Sequence, residues 1–286
     1  MRVLVLGGTH YFGVHLVNSL LKRGHTVAIA TRGRKKDMFG DNVERLIVER
    51  TDPDSLAEVL GKRHFDAACD NLAFCSDDVK NLLDTLRCER YVMTSSAAVY
   101  SDMRPGIEES GFDPLQHPLE WGPELRYDEG KRQAECALFQ KYQQVPSAAV
   151  RFPYVIGEDD YTGRLYFYVK NVIKGIPMDI DNPDEQLAFV KSDEAGDFLA
   201  WAAEQKFTGP INGSSGGAIS LQEIISYVEQ KTGKAALYSR SGLEGPFNGQ
   251  EAFSLDTAKA GSLGYRFSPL DGWIYALLDK LMLKVK

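Results

Sequence analysis

The stretch LVLGGTHYFG, residues 4–13, decides the fold that we predict for this chain. It begins in the apolar run Arg2–Leu6, which is typical of a buried strand, and it ends where Phe12–Lys22 carries apolar residues at helical spacing. A strand, a glycine turn and a helix N-terminus in this order form an anion site, because backbone N–H groups and the helix dipole favour a phosphate there. The pattern therefore predicts a site for the pyrophosphate of a dinucleotide.

The glycines of this loop, Gly7, Gly8 and Gly13, are not equivalent. We expect Gly7 to supply the tight turn and Gly13 to let the helix pack closely on the strand. The dinucleotide fingerprint has a further glycine where this chain has His10. Two interpretations of His10 stay open: a spacer that the turn tolerates, or a side chain that adds a hydrogen bond or partial positive charge near the adenosine.

Strand and helix patterns alternate through the first half of the chain. Further strands are predicted at Thr26–Ala30, Arg45–Val48, Asp66–Cys69, Tyr91–Thr94 and Ser147–Phe152, and further helices at Ser55–Leu60, Asp77–Leu86 and Tyr127–Tyr142. Such alternation is typical of a parallel sheet with helices on both faces. We predict an α/β fold with a Rossmann-type, doubly wound parallel sheet, in which ligands bind outside the carboxyl ends of the strands.

The residue pattern changes after Gly157, where aromatic residues mix with short helical patterns and Gly/Pro turns. We predict an NAD(P)-binding Rossmann domain in residues 1–157, to which residues 187–212 return as a strand and a helix. Residues 158–186 and 213–286 are predicted to form a small C-terminal substrate-binding lobe. The length of 286 residues suits one large α/β unit with a smaller appended lobe.

The composition argues against several classes of protein. The net charge of -7 disfavours general nucleic-acid binding, and no run of apolar residues is long enough for a membrane helix. The opening residues MRVLVLGG are too short for a signal peptide. The four cysteines lack CxxC spacing and neighbouring histidines, so we predict reduced thiols, no metal site and a cytoplasmic location.

The end of the second predicted strand distinguishes between two dinucleotides. NAD enzymes usually carry an acidic residue there, which binds the ribose hydroxyls. This chain has Thr31 at that position, followed by the basic residues Arg32, Arg34, Lys35 and Lys36. Guanidinium groups bind a 2′-phosphate in bidentate fashion, whereas a carboxylate repels it. We therefore predict NADP(H), with NAD as the less favoured cofactor; the alternative is a solvated basic loop.

Two further motifs lie where the predicted fold places its site. MTSSAAVY, residues 93–100, ends the fifth predicted strand, and YDEGK, residues 127–131, begins a helix. Tyr127 and Lys131 are four residues apart and therefore share a helix face. An ammonium beside a phenol lowers the pKa of the phenol, so Tyr127 can exchange a proton nearer neutral pH. We predict that Ser96 hydrogen-bonds the reacting oxygen while hydride moves to or from a nicotinamide.

These motifs together resemble the short-chain dehydrogenase/reductase superfamily, in its extended branch of NAD(P)-dependent epimerases and dehydratases. The resemblance spans nearly the whole chain and rests on GGTHYFG, SSAAVY, YDEGK, RFPYVIG, FVKSDEA and LDTAKAGSLGYRFSPL. It implies a catalytic triad of Ser96, Tyr127 and Lys131, acting as an oxidoreductase or epimerase on a carbonyl or hydroxyl of a sugar-like substrate, nucleotide sugars included. A similar subgroup includes plant chloroplast proteins reported to bind RNA, so the alternative is a non-catalytic regulator or RNA-associated protein on the same fold.

The resemblance also implies a set of cofactor contacts. Glu49 stands where the family often has an aspartate near the adenine, and Asn71 follows the fourth strand. The residues that we expect at the dinucleotide are Gly7, Gly8, Thr9, His10, Tyr11, Phe12, Gly13, Thr31, Arg32, Arg34, Glu49, Arg50, Asn71, Leu72, Ala73, Thr94, Ser95, Lys131, Phe152, Pro153 and Tyr154. The resemblance also implies a homodimer through the Tyr127 helix. From the charge and the apolar pattern we expect neither a nucleic acid nor a membrane as partner.

Some positions depart from the family pattern on the substrate side. Gln186 takes the place of an arginine that often clamps the substrate diphosphate, and Arg164 is the candidate to replace it. His117 and Trp121, in the loop before Tyr127, either pack within that loop or border the substrate. The substrate class is therefore less strongly indicated than the cofactor.

Overall fold

The computed structural model describes residues 1–34, 36–123 and 126–285, so Lys35 of the basic run lies outside the described residues. The chain divides into two compact units. The first unit comprises Met1–Ser101, Glu109–Phe152 and Asp193–Gly213, and the second comprises Asp102–Glu108, Pro153–Ser192 and Ser214–Lys286. The division falls after Phe152, before the change in residue pattern at Gly157, because Tyr154–Ile156 pairs with Phe189–Lys191 inside the second unit.

The described residues form short strands and helices along the whole chain. The strands are β1 (Arg2–Leu6), β2 (Thr26–Thr31), β3 (Val43–Ile47), β4 (His64–Phe65), β5 (Ala67–Asp70), β6 (Arg87–Cys88), β7 (Tyr91–Ser96), β8 (Ser147–Phe152), β9 (Tyr154–Ile156), β10 (Met178–Asp179), β11 (Gln186–Leu187), β12 (Phe189–Lys191), β13 (Gly209–Asn212), β14 (Ile219–Ser220) and β15 (Leu243–Glu244). The α-helices are α1 (Phe12–Lys22), α2 (Pro53–Leu60), α3 (Ser76–Leu83), α4 (Tyr127–Lys141), α5 (Arg164–Lys174), α6 (Ser192–Glu204), α7 (Leu221–Thr232), α8 (Ala258–Ser262) and α9 (Ile274–Leu283). Within the described ranges, no helix is long and apolar enough to cross a membrane.

Seven of the described strands form one parallel sheet in the first unit, in the order β3-β2-β1-β5-β7-β8-β13. The prediction of a doubly wound parallel α/β fold is therefore confirmed. The order of connection reverses between β1 and β5, which is the point where sheets of this kind bind ligands, outside the carboxyl ends of the strands. The loops after Leu6 and Asp70 meet at this point.

The central strands are apolar along their whole length because both faces of the sheet are covered. In β1, Val3, Leu4, Val5 and Leu6 are all buried. Leu4 and Leu6 point to the face where they join a core cluster with Leu56 of α2 and other buried residues of α3 and α4. The alternation of side chains places Val3 and Val5 on the opposite face.

The second unit is built from two- and three-residue strands and longer helices. β9 pairs with β12 and β10 with β15, both in parallel, while β11 and β14 are antiparallel. Helix α7 begins with a capping box, in which the Ser220 hydroxyl accepts the Glu223 N–H and the Glu223 carboxylate accepts the Ser220 N–H. Tyr154 packs at a ring-centroid distance of 4.7 Å from Phe247 and 6.0 Å from Phe189, so this tyrosine belongs to an aromatic cluster.

The four cysteines and, among the described residues, one group of potential metal ligands lie in the first unit. All four cysteines are free, and burial raises the pKa of Cys69 to about 12 and that of Cys75 to about 11. These thiols are therefore poor nucleophiles at neutral pH. Near the start of the short strand β4, His64, Asp66 and Glu89 bring potential ligand atoms within 4.8 Å of one another.

Candidate functional site

The loop between β1 and α1 has the geometry of a phosphate-binding turn. Gly7 has a φ of 77°, a left-handed conformation that glycine adopts without steric cost. A Cβ atom on Gly13 would lie 2.0 Å from the carbonyl oxygen of Gly7. Only glycine at position 13 therefore lets α1 begin this close to the end of β1.

The backbone strain of this loop lies at Tyr11 and not at His10. Tyr11 has φ 53° and ψ −139°, and within the described chain it is the only residue other than glycine with a positive φ. A conformation of this kind costs about 1–3 kcal/mol and persists where the surroundings enforce it. His10 is exposed, and its carbonyl accepts the Gly13 N–H at 3.1 Å. The backbone conformation therefore does not require glycine at position 10.

An open pocket of about 240 Å³ lies beyond the ends of β2 and β3. Its described lining residues are Arg32, Arg34, Ile47, Val48, Glu49 and Ser55. The Thr31 hydroxyl accepts the Gly33 N–H at 2.9 Å and so shapes the turn that carries both arginines. His10 is not among the described residues of this lining. The pocket combines the predicted guanidinium groups with the carboxylate of Glu49.

Arg50, which was expected at the cofactor, is engaged inside the first unit. Its guanidinium binds the fully buried Asp70 carboxylate through two contacts of 2.9 and 3.2 Å, and its Nε lies 3.3 Å from Asp78. The Tyr91 hydroxyl donates to the same Asp70 carboxylate at 2.9 Å. Burial, reinforced by Asp70, raises the pKa of Tyr91, so this hydroxyl stays protonated. Arg50 therefore ties the end of β3 to β5 and α3.

Side chains at the ends of β5 and β7 are linked to the glycine loop. The Thr94 hydroxyl donates to the Asn71 side-chain oxygen at 2.7 Å, and the Asn71 amide donates to the Gly7 carbonyl at 3.4 Å. The predicted site residues of β1, β5 and β7 therefore come together at the carboxyl edge of the sheet. The hydroxyl of Ser95 points elsewhere and donates to Glu135 at 2.5 Å.

Lys131 is fixed at this edge by two main-chain carbonyls. It is 1% exposed, and its ammonium donates to the oxygens of Ala73 and Thr94 at 2.7 and 2.9 Å. The Nζ atom lies 5.9 Å from the ring centre of Tyr127, which is 56% exposed. Burial lowers the pKa of Lys131 to about 8, and the nearby carboxylates of Asp70 and others act in the opposite direction. A charged, oriented ammonium therefore lies beside an accessible phenol.

Ser96 is the last residue of β7, and it begins a short 3-10 turn at Ala97–Val99. Its hydroxyl oxygen accepts the Ala98 N–H at 3.2 Å, which leaves the hydroxyl proton for another acceptor. The Arg132 guanidinium of α4 donates to the Val99 carbonyl at 2.8 Å and holds this turn against the helix. Ser96, Tyr127 and Lys131 are thus carried by β7 and α4, which pack directly on each other.

A buried ion pair, which the sequence analysis missed, joins these two elements to β8. The side chains of Glu135 and Arg151 are both 0% exposed, and they form two contacts of 3.0 and 2.6 Å. Arg151 also donates to the Tyr100 hydroxyl at 3.1 Å. One signal was present in the sequence: Glu135 follows Lys131 by four residues and so shares the face of α4 that carries the lysine.

The segment before Tyr127 packs along the outer side of α4. The Gln133 side chain accepts the Glu120 N–H at 2.7 Å, and His117 lies 3.1 Å from the Glu129 carboxylate. His117 is therefore a packed loop residue, whereas Trp121 is 46% exposed. A homodimer through α4 stays a prediction, and such an interface would include this segment.

In the second unit, the two positions that depart from the family pattern have defined partners. Gln186 donates to the Glu223 carboxylate at 3.0 Å. Arg164 begins α5 and places its guanidinium 5.5 Å from the ring centre of Tyr154. The Tyr154 hydroxyl donates to Gln250 at 2.5 Å, and burial raises the pKa of Tyr154 to about 12. Of the predicted cofactor residues, Phe152 thus ends the first unit while Pro153 and Tyr154 lie in the second.

Comparison with curated proteins finds relatives of different kinds. The chain is 28% identical over 234 residues to the chloroplast stem-loop binding protein of 41 kDa b of Arabidopsis thaliana, a match that covers 75% of this chain and 58% of that protein. It is 26% identical over 267 residues to UDP-glucuronic acid decarboxylase 2 of the same plant, covering 80% of this chain and 57% of that protein. The matches thus span less than two thirds of the length of these relatives.

Solved structures share the fold at lower identity. UDP-glucose 4-epimerase of Thermus thermophilus, in complex with NAD, superposes with a TM-score of 0.76 at 20% identity and covers 100% of both chains. UDP-glucose 4-epimerase of Thermotoga maritima, with UDP-glucose, gives a TM-score of 0.77 at 15% identity and covers 98% of both chains.

A model of one protein family matches most of the chain. The match to the "NAD dependent epimerase/dehydratase family" runs over residues 3–213, which include the glycine loop and the Ser96, Tyr127 and Lys131 motifs. The family expected from these motifs is thereby confirmed. The chain therefore belongs to the NAD dependent epimerase/dehydratase family.

Proposed function

We propose that this protein is an NADP(H)-dependent oxidoreductase or epimerase that acts on a carbonyl or hydroxyl of a sugar-like substrate, with nucleotide sugars as the class to test first. One observation carries the proposal. The Lys131 ammonium, held by the carbonyls of Ala73 and Thr94, lies one helical turn from Tyr127 at the ligand-binding edge of the sheet. Ser96 ends the neighbouring strand with a hydroxyl proton available.

The chemistry assigned to these residues is proton transfer at one substrate oxygen. A bound nicotinamide would supply the hydride acceptor or donor. In the oxidative direction, the Tyr127 phenolate takes the hydroxyl proton of the substrate, and in the reductive direction the phenol returns it. The Lys131 ammonium stabilises the phenolate electrostatically, and Ser96 donates a hydrogen bond to the oxygen on which negative charge develops.

The glycine loop fits a dinucleotide pyrophosphate. Gly13 allows α1 to begin against Gly7, so the N-terminus of the helix lies close to the end of β1, where the helix dipole favours a phosphate. The pocket lined by Arg32, Arg34 and Glu49 supports the choice of NADP(H), since of these described groups two are cationic and one is anionic. NAD is the competing cofactor, because Glu49 supplies a carboxylate that Thr31 does not.

Nucleotide sugars are proposed as substrates because relatives of this chain carry such names. UDP-glucuronic acid decarboxylase 2 is one of them, and UDP-glucose 4-epimerases share the fold. Arg164, supported on the ring of Tyr154, is our candidate for a contact with the substrate diphosphate.

The test combines binding and turnover. Titration with NADPH and NADH is expected to give tighter binding of NADPH. Equal affinities would show that Arg32 and Arg34 do not favour NADPH. A screen of ketosugars and nucleotide sugars is then followed at the reduced-nicotinamide absorbance. Net consumption of NADPH identifies a reductase, and a product of unchanged mass that forms without net cofactor change identifies an epimerase. Tyr127→Phe is expected to lose at least 100-fold in turnover while retaining dinucleotide binding, with Tyr161→Phe as the matched control.

The second candidate is a non-catalytic RNA-associated protein, favoured by the similarity to the chloroplast stem-loop binding protein. The net charge of -7 is unfavourable for this function. Binding of a fluorescent RNA stem-loop at physiological salt separates the two candidates. Affinity in the nanomolar range that is unchanged in Tyr127→Phe, together with no turnover in the substrate screen, would establish the second candidate.

A further inference from the structure

Phe74 is an aromatic residue at the catalytic edge for which the sequence analysis gave no function. It follows the predicted cofactor residues Asn71, Leu72 and Ala73, and 48% of it remains exposed. The Phe74 N–H donates to the Asp78 carboxylate at 2.8 Å, which fixes the residue at the start of α3.

The ring of Phe74 lies against the Lys131 ammonium. An ammonium has three N–H donors, and the carbonyls of Ala73 and Thr94 accept two of them. The Nζ atom lies 4.4 Å from the ring centre of Phe74, which is closer than the 5.9 Å to the ring centre of Tyr127. Among the described residues, the Phe74 ring is thus the partner closest to the third donor. The face of an aromatic ring is electronegative and attracts a cation at this distance.

We infer that Phe74 is a positioning residue for Lys131. The Phe74 ring accepts the third N–H donor of the ammonium until a ligand hydroxyl takes the place of the ring. The inference rests on the proposed function, and it adds that the Lys131 ammonium donates a hydrogen bond to a ribose hydroxyl of the dinucleotide. A hydroxyl ligand needs one of the three donors. The two carbonyl contacts are short, buried hydrogen bonds, whereas the ring contact is a weaker, half-exposed one. The ring is therefore the partner that yields, and it competes with the ligand.

The charged groups around Lys131 come from several elements and stay constant in a test confined to the ring. Asp70 of β5, Asp78 of α3 and Glu135 of α4 favour the protonated lysine, while Arg50 and burial disfavour it. Substituting Phe74 by a smaller residue would also admit water and change the burial of the lysine. Fluorination of the ring avoids this problem, because it reduces the negative charge of the ring face with little change of shape.

The first experiment measures the pKa of Lys131 in the 286-residue chain without any dinucleotide. Phenylalanine, 3,5-difluorophenylalanine and pentafluorophenylalanine are placed at position 74, and the pKa of Lys131 is followed by the ¹³Cε chemical shift. The pKa is expected to fall stepwise from about 8, by roughly 0.4–0.7 for the pentafluoro ring. Pentafluorophenylalanine at Phe139, which lies about two turns after Lys131 on α4, is the matched control. It is expected to leave the pKa of Lys131 unchanged. A pKa of Lys131 that does not respond to position 74 overturns the inference.

The second experiment measures competition, by titrating the same proteins with NADPH at pH 6.5, where Lys131 is protonated in all of them. Loss of the ring contact is expected to tighten binding by roughly 2–5-fold for the pentafluoro ring at position 74. Unchanged or weaker binding shows that the ring does not compete and refutes that part of the inference. If no variant binds a dinucleotide, the proposed function fails, whereas the pKa experiment still decides whether Phe74 positions Lys131.

Discussion

The buried pair of Glu135 and Arg151 leads to a quantitative prediction about stability. Both side chains are fully buried, and within the described part of the chain the remaining hydrogen bonds of Arg151 go to neutral oxygens, among them the Tyr100 hydroxyl and the Phe112 carbonyl. Glu135→Gln therefore leaves a buried guanidinium without its counter-charge. Removing one partner of such a pair costs about 3–5 kcal/mol. A domain is stable by only about 5–15 kcal/mol, so either single substitution removes a large part of the stability.

The double substitution Glu135→Met with Arg151→Met is expected to cost less than the two single substitutions added together. It removes both charges at once and fills the space with apolar atoms of similar volume. The hydroxyls of Ser95 and Tyr100 then lose a partner each, at about 1 kcal/mol per hydrogen bond. We expect a coupling energy of at least about 2 kcal/mol between the two positions.

The free energy of unfolding is measured by urea titration, with circular dichroism as the signal and hydrogen exchange of the β7 and β8 amides as the local probe. The exposed pair of Lys80 and Asp84, with side chains 49% and 48% exposed, is the control. Lys80→Met is expected to change stability by less than about 0.5 kcal/mol. Strictly additive costs for Glu135 and Arg151 would refute the reasoning, because they would show that the two charges do not depend on each other.

The remaining predictions concern the candidate site. Because the pKa of Lys131 is about 8 in the folded protein and ~10.4 in an unfolded chain, the unfolded chain binds more protons between these values, and stability should rise with pH there. The same pKa, which is that of the protein without ligand, predicts that kcat/KM falls above pH 8, as a pH–rate profile will show. Tyr11→Gly should relieve the strain at φ 53° but also lose the contact of the Tyr11 ring with Phe12 at a centroid distance of 5.4 Å, so the free energy of unfolding in urea titration should change by no more than about 1 kcal/mol. Arg32→Ala should lower the NADPH-to-NADH affinity ratio by roughly tenfold or more in fluorescence titrations, and His10→Gly should leave that ratio unchanged. Glu49→Gln should weaken both dinucleotides by the same factor.

The local patterns in the sequence were sufficient for the elements that carry the site. The predicted strand Arg2–Leu6 and helix Phe12–Lys22 have the observed bounds, because the apolar period and the glycines that delimit them are local signals. Helix α3 ends at Leu83 and not at Leu86, although the Leu86 N–H still donates to the Leu82 carbonyl at 2.8 Å. The short strands β4 and β6 were not predicted, because a strand of only two residues shows no alternation of apolar and polar side chains.

Contacts between residues that are far apart in the sequence could not be predicted from local patterns. The cofactor contact of Arg50 stays a prediction, whereas its buried partner Asp70, 20 residues further along the chain, was not predicted. A strand pattern predicts that Asp70 ends a strand, yet it does not indicate which cation reaches the carboxylate. Phe74 is a similar case, since nothing in the sequence near it indicates that Lys131 lies 4.4 Å from its ring centre.

The preference between the two dinucleotides depends on whether the Glu49 carboxylate contacts the ribose or the adenine. Thr31 at the end of β2 removes the carboxylate that usually binds the ribose, but the end of β3 returns one to the same pocket. The described lining residues Arg32, Arg34 and Glu49 carry a summed charge of about +1, which still favours a phosphate of charge about −2. Glu49 accepts the Thr51 hydroxyl at 3.2 Å, and its N–H donates to Ser55 on α2, so it is held at the end of β3 while the arginines extend from the end of β2. A carboxylate on the β3 side suits the amino group of an adenine, which both dinucleotides share. Under the proposed NADP(H) function, the arginines account for the selectivity, and Glu49→Gln is therefore expected to change the two affinities by the same factor while Arg32→Ala changes their ratio.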